Sequence, residues 1–173
     1  KFGEKLWDTI CLFGKKYNLR PGAPNLIDRI EAGLLSFGND MTSDNSPLEC
    51  GFEKYCALSS DIDFIGKAKL KSEKNIGSKL KLCGIAFGGE AQSACTIPWP
   101  IYFNNLKIGE ITSGIYNPSL KVNTGIALVM TENLDKFSTV KVKALNSKIT
   151  EGVICSLPFT ISKNYELINQ IRY

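Results

Sequence analysis

The stretch Lys79-Leu80-Lys81-Leu82-Cys83-Gly84-Ile85-Ala86 decides the fold. It alternates with period two: Leu80, Leu82, Gly84 and Ala86 face one way, and Lys79, Lys81, Cys83 and Ile85 the other. The same pattern continues downstream. Ile101-Tyr102-Phe103 and Leu106-Lys107-Ile108 flank Asn104-Asn105, two residues that tolerate positive φ, and so read as a tight hairpin. Further strands are expected at residues 110–113, 125–130, 140–144 and 152–155. Short strands at this density, roughly six or seven of them, predict a small antiparallel β-barrel, closed or nearly so.

Upstream the period changes to that of helices. Leu6, Ile10, Phe13 and Tyr17 recur at spacings of three and four and mark an amphipathic helix ending near Asn18. Arg20-Pro21-Gly22-Ala23-Pro24 breaks it. A second helix starts with Asn25 as N-cap and Asp28 three positions on. Its apolar side carries Leu26, Ile27, Ile30, Leu34 and Phe37; Gly33, with Gly38-Asn39 after it, limits its length, and Gly38 is its expected C-cap. Residues 42–47 read as loop, and 52–58 as a short strand or irregular segment. Residues 63–74 read as a third helix capped by Asp63 and closed by Gly77-Ser78. The fold class is therefore α+β: a helix-rich segment over 1–78, the barrel over 79–161 and a tail over 162–173.

Bulk properties narrow the function. With 43% hydrophobic and 22% charged residues the chain reads as an ordinary soluble globular protein, and no uncharged run approaches the length of a membrane span. The net charge of +4 includes a lysine cluster between Lys67 and Lys81. Without interleaved aromatics or an RNA-binding block it reads as a solvated helix face, so no nucleic-acid partner is expected. Six cysteines without a CxxC pair, and no histidine, argue against a Cys/His zinc site and exclude His-based nucleophile chemistry from this chain. The cysteines read as reduced core residues of a cytoplasmic protein. Asp61 and Asp63 read as an N-cap and its dipole partner, so no metal is expected.

Two blocks remain as candidates for chemistry. Arg29 and Glu31, two apart on a helix, point to different faces. Arg29 reads either as a snorkelling core-edge residue or as a planar fork for a carboxylate or ring oxygen. The segment 109–118 reads as a strand entering a turn, with Thr112 and Ser113 hydroxyls capping it, Gly114 supplying positive φ and Pro118 ending the pairing. Neither a GxGxxG nor a P-loop is present, so nucleotide phosphate binding has no support.

Six motifs occur in order: DRIEAGLLSFGND from Asp28, PLECGF from Pro47, DFIGK from Asp63, IGEITSG from Ile108, NPSL from Asn117 and GIALVM from Gly125. Together they resemble the C-terminal half of the glycine-cleavage T-protein (aminomethyltransferase) family, which includes dimethylsulfoniopropionate demethylases. The resemblance spans nearly the whole chain. It implies three domains around a central tetrahydrofolate site, with residues 1–78 forming the C-terminal part of the folate-binding domain and 79–161 the C-terminal barrel. It also implies that the catalytic Asp and a pterin-binding Glu come from an N-terminal half outside this chain. No catalytic residue is expected here, and the isolated chain is expected to be inactive.

By the same resemblance the substrate- or folate-binding residues are Arg29, Tyr165, Asn25 and Phe37. Asn25 stands where T-proteins carry an Arg, and Phe37 where they commonly carry a Tyr. These departures speak against glycine cleavage, and Pro24-Asn25-Leu26-Ile27-Asp28-Arg29 with Glu49-Cys50-Gly51-Phe52-Glu53-Lys54-Tyr55 looks closer to the sulfonium-demethylase branch. The implied function is the C-terminal portion of a tetrahydrofolate-dependent aminomethyl or methyl transferase. Its implied partners are a small one-carbon donor and the missing N-terminal half. A non-catalytic folate-binding or assembly domain is the alternative.

Overall fold

The computed structural model describes residues 2–22, 25–132, 134, 139–145, 148–159, 168, 169 and 171. Six antiparallel strands close into a barrel: β1 (Leu80–Phe87), β2 (Trp99–Phe103), β3 (Leu106–Asn117), β4 (Val122–Met130), β5 (Thr139–Val142) and β6 (Thr150–Cys155). Their order around the barrel is β1-β4-β3-β2-β5-β6, and β6 pairs back onto β1 through Gly84 opposite Cys155. The turn between β2 and β3 is made by Asn104 and Asn105, both at positive φ (47° and 65°), as their identity predicts.

The alternation in β1 sorts its side chains between two cores. Cys83, Ile85 and Phe87 enter the barrel interior with Trp99, Ile101, Ile108, Ile111, Val129 and Val142. Phe87 meets Trp99 edge-on, with ring centroids 5.8 Å apart. On the outer side, Ala86 joins Ile126, Val153, Cys155 and Phe159 in a second cluster with Ile30 of the helical segment. The strand is thus covered on both faces beyond Leu82, which is why its polar positions disappear there.

Three helices precede the barrel: α1 (Gly3–Gly14), α2 (Leu26–Ala32) and α3 (Lys67–Ile76). Helix α1 runs into a single 3-10 turn, Lys15–Tyr17, and stops at left-handed Asn18, where its periodicity ends. Its apolar side is not buried: Leu6, Trp7, Ile10, Leu12, Phe13 and Tyr17 are all exposed. Asn25 caps α2 as expected, its Oδ1 accepting from the Asp28 amide at 2.9 Å.

The structure corrects several details. Gly33, not Gly38, ends α2: at φ 69° its N–H reaches back to the carbonyls of Arg29 and Ile30. Gly38, at φ 84°, sits in the following loop and donates to the Met41 carbonyl. Helix α3 starts at Lys67 behind left-handed Gly66, three residues later than a cap at Asp63 requires. Asp63 accepts from the Phe64 amide instead. Of the two readings of residues 52–58 the irregular one holds, with a 3-10 turn at Glu53–Tyr55.

Candidate functional site

The short α2 and the loop after it set the geometry. The left-handed turn at Gly33 reverses the chain, and a bridge between Phe37 and Met41 folds residues 34–41 back toward the helix. A Cβ on Gly33 would also press against Leu157 at 3.1 Å. This fold-back brings Asp40 to Arg29. Arg29 Nη1 donates to Asp40 Oδ2 at 2.6 Å and to the Leu34 carbonyl at 2.8 Å, and Nη2 donates to Ser113 Oγ at 2.5 Å.

Asp40 is the centre of the cluster. Its Oδ2 also accepts from the Ser36 amide at 2.9 Å, while Oδ1 accepts from Thr112 Oγ1 at 2.7 Å and Ser113 Oγ at 2.5 Å. The carboxylate is fully buried, whereas the Arg29 side chain keeps 21% of its exposure. Burial alone pushes the Asp40 carboxyl up. The bonds from Ser113, Thr112, Ser36 and Arg29 outweigh it and hold the group below its ordinary value. Asn39 Nδ2 ties the same region down through Ser113 Oγ at 2.7 Å and the Thr112 carbonyl at 3.0 Å.

Adjacent residues of a regular strand point to opposite faces, yet Thr112 and Ser113 both reach Asp40 Oδ1. A register shift in the β3–β4 pairing between Ile111 and Ser113 explains this: one extra residue re-aims the side chains. The expectation that these hydroxyls cap a turn is therefore overturned. Gly114 is likewise not a positive-φ turn residue. It lies within β3, where a Cβ would meet the Trp99 ring at 2.6 Å, so it serves close packing. Asn117 makes the turn instead, its Oδ1 accepting from the Ser119 and Leu120 amides.

Arg29 and Glu31 do diverge, and each finds its own place on β3. Asn117 Nδ2 donates to Glu31 Oε1 at 2.6 Å, four residues along the strand from Ser113. Asn25 lies about one turn before Arg29, but its amide is engaged with Asp28 through both Oδ1 and Nδ2. Phe37 is 73% exposed on the loop that carries Asp40. Tyr165 lies outside the described residues. Sequence reading missed Asp40, Asn39 and the paired use of Thr112 and Ser113, although all four fall inside the quoted motifs. Nothing in their spacing pointed to a shared contact.

A groove of about 610 Å³ opens between the end of α2 and strands β1 and β6, lined by Leu34, Phe52, Tyr55, Leu82 and Leu157 with Lys81. Arg29 does not line it. The cysteines are free thiols, and burial raises Cys83 to about 12 and Cys155 to about 11, so neither is a reactive thiolate. Among the described residues no cluster of His, Cys, Asp and Glu could hold a metal, and no helix is long and apolar enough to cross a membrane.

The chain is similar to known proteins in sequence and in fold. Over 129 residues, 75% of this chain, it is 39% identical to the dimethylsulfoniopropionate demethylase of Ruegeria pomeroyi, covering 35% of that protein. It is 32% identical over 171 residues to an aminomethyltransferase of Thermoanaerobacter pseudethanolicus, covering 96% of this chain and 44% of the relative. The chain thus spans less than half the length of the relatives it matches. The aminomethyltransferase T of the Bartonella henselae glycine cleavage system shares the fold, with a TM-score of 0.58 and 21% identity over 79% of this chain and 38% of that one. Residues 81–160 match the glycine cleavage T-protein C-terminal barrel domain, and with these relatives they identify the chain as a C-terminal portion belonging to the T-protein family.

Proposed function

We propose that this chain is the C-terminal portion of a tetrahydrofolate-dependent one-carbon transferase, acting on a sulfonium or methylated-amine donor. The observation that carries the reading is Arg29, a partly exposed guanidinium held rigidly where α2 meets the barrel, in a chain whose relatives are demethylases and aminomethyltransferases. Tetrahydrofolate, when bound, supplies the nitrogen that receives the one-carbon unit. The work left to protein is chiefly positioning, which holds two reactants in line without covalent chemistry.

In this reading Arg29 holds an anionic part of folate or donor, and Phe37, exposed on the loop that carries Asp40, offers an aromatic face. A neutral residue at Asn25 leaves a cationic donor less repelled than an Arg there would. Sulfonium groups favour aromatic faces by about 0.5–2 kcal/mol, depending on desolvation. The catalytic carboxylate belongs to a preceding half of the polypeptide, which covers the apolar side of α1, and the whole acts in the cytoplasm. A contiguous apolar helix face of this kind marks a surface that another element covers.

The test compares the 173-residue chain with a polypeptide extended by that preceding half. The extended form should transfer a methyl group from a sulfonium or methylated-amine donor to tetrahydrofolate, and the shorter one should show no turnover. Turnover by the short chain would place the catalytic groups within it. Turnover only with an aminomethylated lipoyl carrier would return the protein to glycine cleavage. Tetrahydrofolate binding without transfer from any donor would leave a non-catalytic binding domain.

A further inference from the structure

We propose that Asp40 and the bulged pair Thr112–Ser113 are positioning residues, which present one edge of the Arg29 guanidinium to a carboxylate. The inference rests on the reading of Arg29 as a ligand-holding residue and supplies the device that would make it one. A guanidinium has five N–H donors in one plane. Three are used: both on Nη1, by Asp40 and the Leu34 carbonyl, and one on Nη2, by Ser113.

Asp40 Oδ2 on Nη1, Ser113 Oγ on Nη2 and the bond from Ser113 to Asp40 Oδ1 close a ring over the outer edge of the guanidinium. The Nε–H and the second Nη2–H have no acceptor among the described residues, and they share the other edge. Two parallel donors on one edge match the two oxygens of a carboxylate. The Arg29 side chain keeps 21% of its exposure, and no fully buried side-chain nitrogen of the described residues lacks a partner, so the Nε end of this edge reaches solvent.

The design also sets which anion is taken. The Arg29–Asp40 pair is formally neutral, and Asp40 is satisfied by Ser36, Thr112 and Ser113 whether or not a ligand arrives. The open edge therefore recognises by direction more than by net charge. A monoanionic carboxylate suits it better than a phosphate dianion. The bulge is what makes the arrangement possible, because only there do consecutive hydroxyls reach one carboxylate oxygen.

Guanidinium nitrogen NMR on the 173-residue chain tests this directly. The sequence holds only Arg20, Arg29 and Arg172, so Arg29→Lys identifies the signals of interest. In the unchanged chain the Arg29 Nη signals should be resolved by hindered rotation, and acetate should shift Nε–H at least threefold more than phosphate does at equal concentration. Ser113→Ala and Asp40→Asn should merge the Nη signals and remove most of the acetate response, while Ser113→Thr retains both. Because Asp40→Asn can compromise folding, the serine pair carries the comparison on its own. Resolved signals with an undiminished acetate response in Ser113→Ala would overturn the proposal, as would equal responses to the two anions in the unchanged chain. A normal acetate response in an extended polypeptide that binds no tetrahydrofolate would sink the folate reading while this one stands.

Discussion

The barrel and helix α1 solve the same problem in opposite ways. Both carry many apolar side chains. The barrel turns them inward, pairs every strand on both sides and buries Ile85, Phe87, Ile101 and Ile111 almost completely. Helix α1 has equally clear periodicity and leaves Leu6, Ile10 and Phe13 in water. Periodicity tells which residues share a face. It does not say what lies opposite.

Substitutions can break this contrast, and the largest effect is expected inside the barrel. Phe87→Ala should lower stability by about 3–5 kcal/mol in urea unfolding, because the cavity next to Trp99 cannot collapse in a closed sheet. A loss below about 1 kcal/mol would mean the barrel interior is loosely packed. Next comes the polar junction between the two regions. Asp40→Asn should cost about 3 kcal/mol, since it leaves Arg29 without its carboxylate and disturbs a buried network.

The same residue gives a pH signature. The Asp40 carboxyl lies below its ordinary 3.8 in the folded chain. Its contribution is therefore present above that value and is lost as pH falls through the lower, folded one. Acid titration followed by circular dichroism should show a component of destabilisation below about pH 4 that is missing from Asp40→Asn. An identical acid profile in the two proteins would remove Asp40 from the junction.

Two smaller effects sharpen the comparison. Asn25→Ala should cost about 1 kcal/mol through the lost α2 cap, readable as a modest fall in thermal midpoint. Leu12→Ser and Phe13→Ser should each change the stability of this chain by no more than about 0.5 kcal/mol, because both are already solvated. In a polypeptide extended by the proposed preceding half, the same α1 changes should become costly. If they are costly already in the short chain, α1 packs on something within it.

Much of the barrel was legible because its signals are local. Alternation in β1, the Asn104-Asn105 turn and the strand positions depend on neighbours a few residues apart, and Asn25 capping α2 depends on Asp28 alone. The helix ends were misplaced where two glycines competed. Gly33 and Gly38 both take positive φ, and only the bonds from the Gly33 N–H to the Arg29 and Ile30 carbonyls show which one sits at the end of α2. The candidate site was less legible still. Arg29 stood out as a charge among apolar residues, but Asp40 reaches Ser113 across 73 positions of sequence, and the bulge that aims Ser113 leaves no mark in the alternation. The glycines of β3 illustrate the same limit: a turn residue and a close-packing residue look alike until the facing atom is known.

Closure of the barrel has a consequence for how this chain behaves when concentrated. An open sheet presents unpaired backbone donors and acceptors that recruit further copies without limit. Here β6 returns to β1, so the ring offers no such template. Self-association must proceed through side chains, and among the described residues α1 carries the largest share of bare apolar ones. Contacts of that kind saturate once the greasy stripes have met. Crowded solutions of this chain should hold small, reversible oligomers that dissolve on dilution, not fibrils.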